Sequence, residues 1–231
     1  MKKYKHLFFD LDHTLWDYDR NVQESLTELH DIHKLHGLGI RDAESLIKAF
    51  YNVNFKLWEM YDVGKIDRDS LRTSRFKLVF ENAGADPQHV PELLEPDFMH
   101  RTSSKRYLLP YTLEILDYLK PKYPMHIITN GFDESQAKKL HTSGLRPYFD
   151  LIVTSETTGH KKPDARIFQY ALDNLGINNQ DVVMIGDNPN SDILGAINAN
   201  IDQVYFDPHG KGIEVKPTYM IKHLKELEGL L

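Results

Sequence analysis

The chain contains five short apolar runs, one near its start and four in its second half. Each has the length of a strand buried in a sheet. Between the later runs apolar residues recur at helical spacing, as in the stretch from Ile167 to Leu175, which ends at Gly176. Strands that alternate with helices predict a parallel, doubly wound α/β sheet. The five runs are His6 to Phe9, His126 to Thr129, Leu151 to Thr154, Val182 to Ile185 and Val204 to Phe206.

The long gap between the first two runs has a different pattern. From Trp16 to about Tyr107 the apolar spacing is helical only, and glycine or proline breaks it several times. This predicts an inserted bundle of about four helices. We therefore expect an α/β core formed by residues 1–15 and 105–231 and a helical domain formed by residues 16–104. The helical stretches include Val22 to Leu35, Ala43 to Tyr61 and Leu71 to Ala83, with breaks at Gly37, Gly39, Gly64, Gly84 and Pro87.

Composition narrows the class of function. A formal net charge of −6, without any basic stripe, argues against a nucleic-acid polymer or an anionic membrane as partner. The chain has no cysteine, which excludes disulfides, thiolate catalysis and zinc sites built from cysteine. No stretch approaches membrane-spanning length, and the apolar residues after Lys2-Lys3-Tyr4-Lys5 are too few for a signal peptide. We expect a cytoplasmic protein.

Candidate chemistry begins where the first run ends. Asp10 and Asp12 lie two residues apart on the loop that leaves an apolar strand, which is where ligands bind in an open parallel sheet. Two acids at such a place also occur in ordinary solvated turns. The functional interpretation is that Asp10 is a nucleophile able to form an aspartyl phosphate, while Asp12 transfers protons to and from the reacting oxygens.

Two later runs lead into groups that suit a phosphate. Thr129-Asn130-Gly131 offers a hydroxyl, an amide and a flexible backbone, although the same tripeptide is common in turns. The third run is followed by Lys161-Lys162-Pro163, where a lysine can neutralise phosphate oxygens and developing negative charge. A surface lysine is more often only solvated, and the choice between Lys161 and Lys162 stays open on this ground.

The fourth run leads into a loop rich in oxygen ligands. Asp187 and Asp192 suit a hard cation that keeps some of its waters, which is the habit of magnesium. An asparagine-rich turn that caps the next helix is the alternative. Each of the four signals is weak alone, but all four follow separate predicted strands, so one crevice would hold a nucleophile, phosphate donors and a metal cage.

At this point the sequence resembles the haloacid dehalogenase superfamily, whose motifs are Asp-x-Asp-x-Thr, a Ser or Thr, a Lys, and Gly-Asp-x-x-x-x-Asp. The resemblance covers Tyr4 to Trp16 and about Leu109 to Phe206. It implies a Rossmann-like core, a helical cap and a Mg²⁺ cofactor. The implied catalytic set is Asp10, Asp12, Thr129 and Lys162, the implied phosphate-binding set is Thr14, Asn130 and Gly131, and the implied metal ligands are Asp10, the backbone carbonyl of Asp12, Asp187 and Asp192. His13 departs from the residues usual at its position.

Finer features resemble the branch of bacterial 5′-nucleotidases that act on pyrimidine and noncanonical nucleoside monophosphates. They are the stretches Ile127 to Phe132, Ser143 to Asp150 and Ser191 to Ala196. The substrate would then be a small phosphate ester. In the helical domain, Trp58 and Tyr61 are candidates to stack on a base, although they share a helix face with Phe50 and Leu57 as in a core stripe (Phe50, Leu57, Trp58, Tyr61).

Alternatives remain at this stage. Asp12 argues against a dehalogenase, because halide departure needs no proton, whereas sugar-phosphate mutases and phosphoglycolate phosphatases keep the acid pair. A phospho-accepting receiver module also places acids, a hydroxyl and a lysine at strand ends, but such a module is about half this length and has no helical insert. The sequence carries no indication of an oligomeric state.

Overall fold

In a computed structural model the chain is described over residues 3–212 and 214–231. Met1, Lys2 and Ile213, and with them the start of the N-terminal segment considered above, lie outside these residues. The described residues divide into two compact units. One comprises the residues up to Tyr18 together with Arg106–Leu231, and the other comprises Asp19–Lys105. Within the described ranges, no helix is both long and apolar enough to cross a bilayer.

The first unit contains a sheet of six parallel strands, counted over the described residues, in the order β3-β2-β1-β4-β5-β6. The five predicted runs are all strands, which confirms the predicted α/β class. The short β6 was not predicted, because three residues are too few to show a strand pattern. The strands are β1 (His6–Phe9), β2 (Met125–Thr129), β3 (Leu151–Thr154), β4 (Val182–Gly186), β5 (Asp202–Phe206) and β6 (Tyr219–Ile221).

Alternation along the strands sends side chains to both faces of the sheet. Leu7 and Phe9 belong to one buried cluster and Phe8, between them, to another. Helices that follow the strands cover each face, so both clusters are closed from water. The sheet unit contains α5 (Thr112–Leu119), α6 (Asp133–Thr142), α7 (Ser155–Thr158), α8 (Ala165–Leu175), α9 (Leu194–Asn198) and α10 (Leu227–Leu230).

The second unit is entirely helical, and the structure describes all of its residues. Asp42 caps the N-terminus of α2 (Ala43–Asp62) and Asp67 that of α3 (Arg68–Ala83), and their carboxylates accept from Ser45 N and Ser70 N. Gly84 ends α3 in the left-handed region, with φ of 80°, as the glycine break predicted. The helices α2 (Ala43–Asp62), α3 (Arg68–Ala83) and α4 (Leu94–Ser103) follow α1 (Tyr18–Ile32), whose first residue lies in the sheet unit.

Candidate active site at the carboxyl ends of the strands

The site lies at the topological switch point of the sheet. From β1 the strand order runs outward through β2 on one side and through β4 on the other, which opens a crevice beyond the end of β1. Asp10 follows β1 directly, and its main-chain nitrogen donates to the carbonyl of Ile185 on β4, at 2.9 Å. Asp187 follows β4, and Thr129 is the last residue of β2.

Lys162 binds two of the predicted carboxylates. Its ammonium lies 2.6 Å from Asp10 Oδ1, 2.6 Å from Asp192 Oδ1 and 2.8 Å from the carbonyl of Ile128. Those three acceptors use its three N–H groups. Burial opposes the charged form, but Asp10 and Asp192 outweigh it and raise the pKa of Lys162. The lysine in the site is thus Lys162, and Lys161 is its half-buried neighbour.

Three carboxylates converge beside this ammonium. One oxygen from each of Asp10, Asp187 and Asp192 lies within 4.8 Å of the others. Burial, with Lys162 opposing it and Asp192 adding to it, raises the pKa of Asp10 to about 7. Burial and the nearby carboxylates raise the pKa of Asp187 as well. An oxygen-only donor set with surplus negative charge fits a hard divalent cation such as magnesium.

Local turns hold the two later acids in place. Asn188 caps a π-helical turn, Pro189–Ile193, and its main-chain nitrogen donates to Asp192 Oδ2 at 3.0 Å. The Asp192 carboxylate occupies the space where a Cβ on Gly186 would stand, 2.4 Å from Oδ2. Thr14, the threonine of the first motif, donates to Asp187 Oδ1 at 3.0 Å.

The Thr129 hydroxyl is oriented by two donors. Its oxygen accepts from the main-chain nitrogen of Gly131 at 3.1 Å and from Gln136 Nε2 at 2.8 Å. Because both contacts are accepted, the hydroxyl proton is available to donate to a bound anion. Gly131 leaves room for this amide, because a Cβ at that position would lie 2.0 Å from Gln136 Nε2 and would displace it.

Asn130 is engaged with the lysine loop. Its side-chain Nδ2 donates to the carbonyl of Lys162 at 2.9 Å, and its Oδ1 accepts from the Lys162 main-chain nitrogen at 2.8 Å. Sequence reasoning placed this amide among the phosphate donors. In the structure it ties the end of β2 to the residue that carries the ammonium.

Asp12 has partners that sequence reasoning missed. Lys139 Nζ lies 2.7 and 2.9 Å from its two carboxylate oxygens, and Gln136 Nε2 donates to Oδ2 at 2.9 Å. Burial would raise the pKa of Asp12, but Lys139 and Gln136 outweigh it and lower that pKa. Gln136 and Lys139 follow Phe132 on the buried stripe of α6. Polar residues on a buried stripe are the signal that would have found them.

The two aromatic candidates belong to the helical unit. Tyr61 is buried, whereas Trp58 is half-buried and meets the Tyr61 ring edge-on at a centroid distance of 5.4 Å. On the same helix Phe50 packs with Phe76 of α3 in the core of that unit. Tyr61 thus has the burial of a core residue, while Trp58 keeps an accessible part of its ring.

Comparison with known proteins agrees with this geometry. The haloacid dehalogenase-like hydrolase family matches residues 4–200, and the chain belongs to that family. The chain is 33% identical to the pyrimidine 5′-nucleotidase YjjG of Escherichia coli, over 99% of its own length and 98% of that protein. It is 30% identical to the pyrimidine 5′-nucleotidase PynA of Streptococcus pneumoniae, over 97% and 93%.

A solved structure has nearly the same fold throughout. The magnesium-bound HAD-hydrolase YfnB of Bacillus subtilis matches with a TM-score of 0.88 and 28% identity, over 99% of each chain. The chain is thus a hydrolase with the Rossmann-like core and the helical insert expected from its sequence.

Proposed function

We propose that this chain is a magnesium-dependent phosphomonoesterase that forms an aspartyl phosphate on Asp10 and acts on nucleoside monophosphates, pyrimidine ones above all. The observation that carries the proposal is the buried Asp10, held by Lys162 within a carboxylate cluster at the switch point. The pyrimidine 5′-nucleotidase relatives support the substrate class, and the magnesium-bound YfnB structure supports the metal.

In the first half of the reaction, Asp10 attacks phosphorus and displaces the alcohol. Lys162 holds Asp10 Oδ1, and within the described residues no hydrogen bond reaches Oδ2, which leaves that oxygen for the attack. Asp12 gives a proton to the departing oxygen. Thr129 donates to the phosphate, and the Lys162 ammonium offsets the negative charge around Asp10.

In the second half, Asp12 takes a proton from water, which attacks the phosphorus of the aspartyl phosphate and releases Asp10. The contact with Lys139 favours the ionised Asp12 that this half requires. Magnesium, held by Asp10, Asp187, Asp192 and the carbonyl of Asp12, would supply positive charge against the repulsion between Asp10 and the phosphate. Positioning and electrostatic stabilisation account for most of the rate in phosphoryl transfer.

The decisive experiment is a phosphate-release screen with magnesium over nucleoside monophosphates, sugar phosphates and phosphoglycolate. We expect the highest kcat/KM with a pyrimidine nucleotide, loss of turnover with a chelator, and no turnover in Asp10→Asn. Asp173→Asn is the matched control, because that carboxylate is exposed on α8. A higher kcat/KM for a sugar phosphate or for phosphoglycolate would show that the protein is not a nucleotidase but a phosphatase of that other substrate. Full turnover without metal would overturn the mechanism.

Recognition of the base is tested at Trp58. If its ring stacks on the nucleoside, Trp58→Ala should lower kcat/KM for a nucleoside monophosphate by about 10-fold or more, as expected from losing about 1 to 3 kcal/mol of base stacking. A small aryl phosphate should be hardly affected. The buried Tyr61 is the control. Tyr61→Ala should lower kcat/KM equally for the nucleotide and for the aryl phosphate, and it should lower the melting temperature. Equal losses in Trp58→Ala would assign Trp58 to the core too.

A further inference from the structure

Lys139 is a buried cation that the proposed reaction uses only to favour the ionised Asp12, with no part in placing that carboxylate. Its side chain is only 9% exposed, and its ammonium lies within 2.9 Å of both Asp12 oxygens. It lies 4.5 Å from the centre of the Trp16 ring, which is itself fully buried. Contact with an aromatic face stabilises a desolvated ammonium, so Trp16 and Asp12 together fix its place.

The Trp16 ring is tied back to the loop that carries Asp12. The main-chain nitrogen of Trp16 donates to the carbonyl of Leu11 at 2.9 Å, and its carbonyl accepts from His13 N at 3.0 Å. The same short loop therefore supplies both the carboxylate and the aromatic surface that Lys139 contacts. Movement of the ammonium would disturb both contacts together.

Gln136 extends this arrangement to the phosphate-binding hydroxyl. It lies three residues before Lys139, on the same face of α6. Its amide nitrogen donates to Asp12 Oδ2 and to Thr129 Oγ1, at 2.9 and 2.8 Å. One helix thus orients both the proton-transfer group and the hydroxyl that faces the phosphate. The fully buried Leu140 anchors that helix in the core.

Asp12 needs such support. Its side chain is 23% exposed, more than that of Asp10 at 10%. A partly exposed carboxylate on a loop has several rotamers open to it, whereas proton transfer requires hydrogen-bond reach of the reacting oxygen. A misplacement of about 1 Å can lower a rate about 10²-fold.

We propose that Lys139, held against the Trp16 ring, is a positioning residue that fixes the Asp12 carboxylate for proton transfer, with Gln136 coupling it to Thr129. The inference rests on the proposed phosphatase function. Lys139 acts through Asp12 and does not itself contact the reacting atoms.

The test is a double-substitution cycle on the full-length protein with a nucleoside monophosphate and magnesium. Lys139→Met keeps the length of the side chain and a sulfur contact with the ring but removes the charge. We expect kcat to fall about 10- to 100-fold with KM nearly unchanged. In an Asp12→Asn background the same substitution should change kcat less than about 2-fold, since the group it positions is already absent.

Two further variants separate positioning from stability. Lys139→Arg keeps a stacked cation that can pair with both carboxylate oxygens, and should restore kcat to within about 3-fold of the unsubstituted protein. Lys120→Met is the control, because Lys120 is an exposed lysine over the Tyr148 ring, at 5.1 Å, and should leave turnover unchanged. If Lys139→Met lowered kcat equally with and without Asp12, or left kcat unchanged, the positioning role would be overturned while the proposed function would stand. Absence of turnover in the unsubstituted protein would overturn the proposed function and this inference together.

Discussion

Each of the two units buries an ionic cluster, and the clusters differ in their balance of charge. In the helical unit Arg75 pairs with Glu95, through Nε at 3.0 Å and through Nη2, and its Nη1 donates to Asn54 at 3.1 Å. In the sheet unit Lys162 pairs with Asp10 and Asp192, and Asp187 adds a third carboxylate. The first cluster has two cations on one acid, since Arg72 Nε also lies 3.7 Å from Glu95, whereas the second cluster has three acids around one ammonium.

The difference in charge balance distinguishes charged groups that stabilise the fold from charged groups that form a binding site. The charge of Glu95 is compensated by its arginines, and Arg75 also lies 4.9 Å from the centre of the Phe98 ring, as a side chain packed in a core does. Surplus carboxylates repel one another, which is why the pKa values of Asp10 and Asp187 are raised. Folding alone gives no reason to keep that repulsion, whereas binding a cation does.

The strongest way to break this comparison is Asp187→Asn. We expect magnesium-supported turnover to fall by more than about 100-fold, because a metal ligand is lost. In chelator the variant should melt at a higher temperature than the unsubstituted protein, because one of the mutually repelling carboxylates is gone. Thr14 can still donate to the amide oxygen.

The pH dependence gives this prediction its sign. A carboxyl whose pKa is raised on folding stabilises the protein at low pH and loses that contribution as pH rises through the raised value. The advantage of Asp187→Asn in chelator, measured by thermal unfolding, should therefore grow as pH rises above the usual carboxyl pKa of about 4. Asp173→Asn, on an exposed carboxylate, should show neither effect. A variant no more stable than the unsubstituted protein and still activated by magnesium would refute the surplus-charge account.

Arg75→Met tests the other side of the comparison. Removing Arg75 leaves the half-buried Glu95 with Arg72, 3.7 Å away, as its remaining arginine, which destabilises the protein by about 3 kcal/mol. Urea unfolding measures this loss. Arg75→Met combined with Glu95→Leu should recover a large part of it. Arg68→Met removes an exposed arginine paired with Asp69, and should change stability by less than about 0.5 kcal/mol. Equal effects of the two arginine substitutions would show that the Arg75 pair is not structural.

The sequence predicted the features of the site that are local along the chain. Apolar runs located β1 to β5, and Asp10, Thr129 and Asp187 stand out because each ends or follows a run. Contacts that join distant segments were not predictable in this way. Lys139 is 127 residues from Asp12, and nothing near either residue in the sequence indicates the pair.

The role of Asn130 shows the same limit. A Thr-Asn-Gly turn predicts donors for an anion, but which way the amide points depends on the loop of Lys162, 32 residues away. Burial of Tyr61 likewise depends on the packing of α2 against the rest of its unit. Residue type and spacing gave the chemistry of the site, while tertiary contacts decided which side chains are free to perform it.

The smallest effect is expected at a pair of histidines at the opposite end of the strands, of which His126 is buried and His6 half-buried. His6 Nδ1 lies 3.1 Å from His126 Nε2, the rings stack, and His126 Nδ1 has no hydrogen-bond partner within the described residues. Burial, with His6 adding to it, lowers the pKa of His126 to about 4. The two rings are uncharged at neutral pH. They therefore add to the comparison a cluster that gains an uncompensated positive charge only at acid pH.

A histidine whose pKa is lowered on folding stabilises the protein above its unfolded value, about 6.5, and loses that contribution as pH falls toward the folded value. For His126 the loss should reach about 1 kcal/mol by pH 5.5 and grow further toward pH 4. We expect His126→Leu to remove this part of the pH dependence, so that unsubstituted protein and variant differ by about 1 kcal/mol less at pH 5.5 than at pH 7.5. Urea unfolding at the two pH values, with the exposed His89→Leu as control, measures the change. A difference between protein and variant that stays constant with pH would mean that the histidine pair accepts a proton without cost, and that uncompensated charge is tolerated in this core away from any metal site.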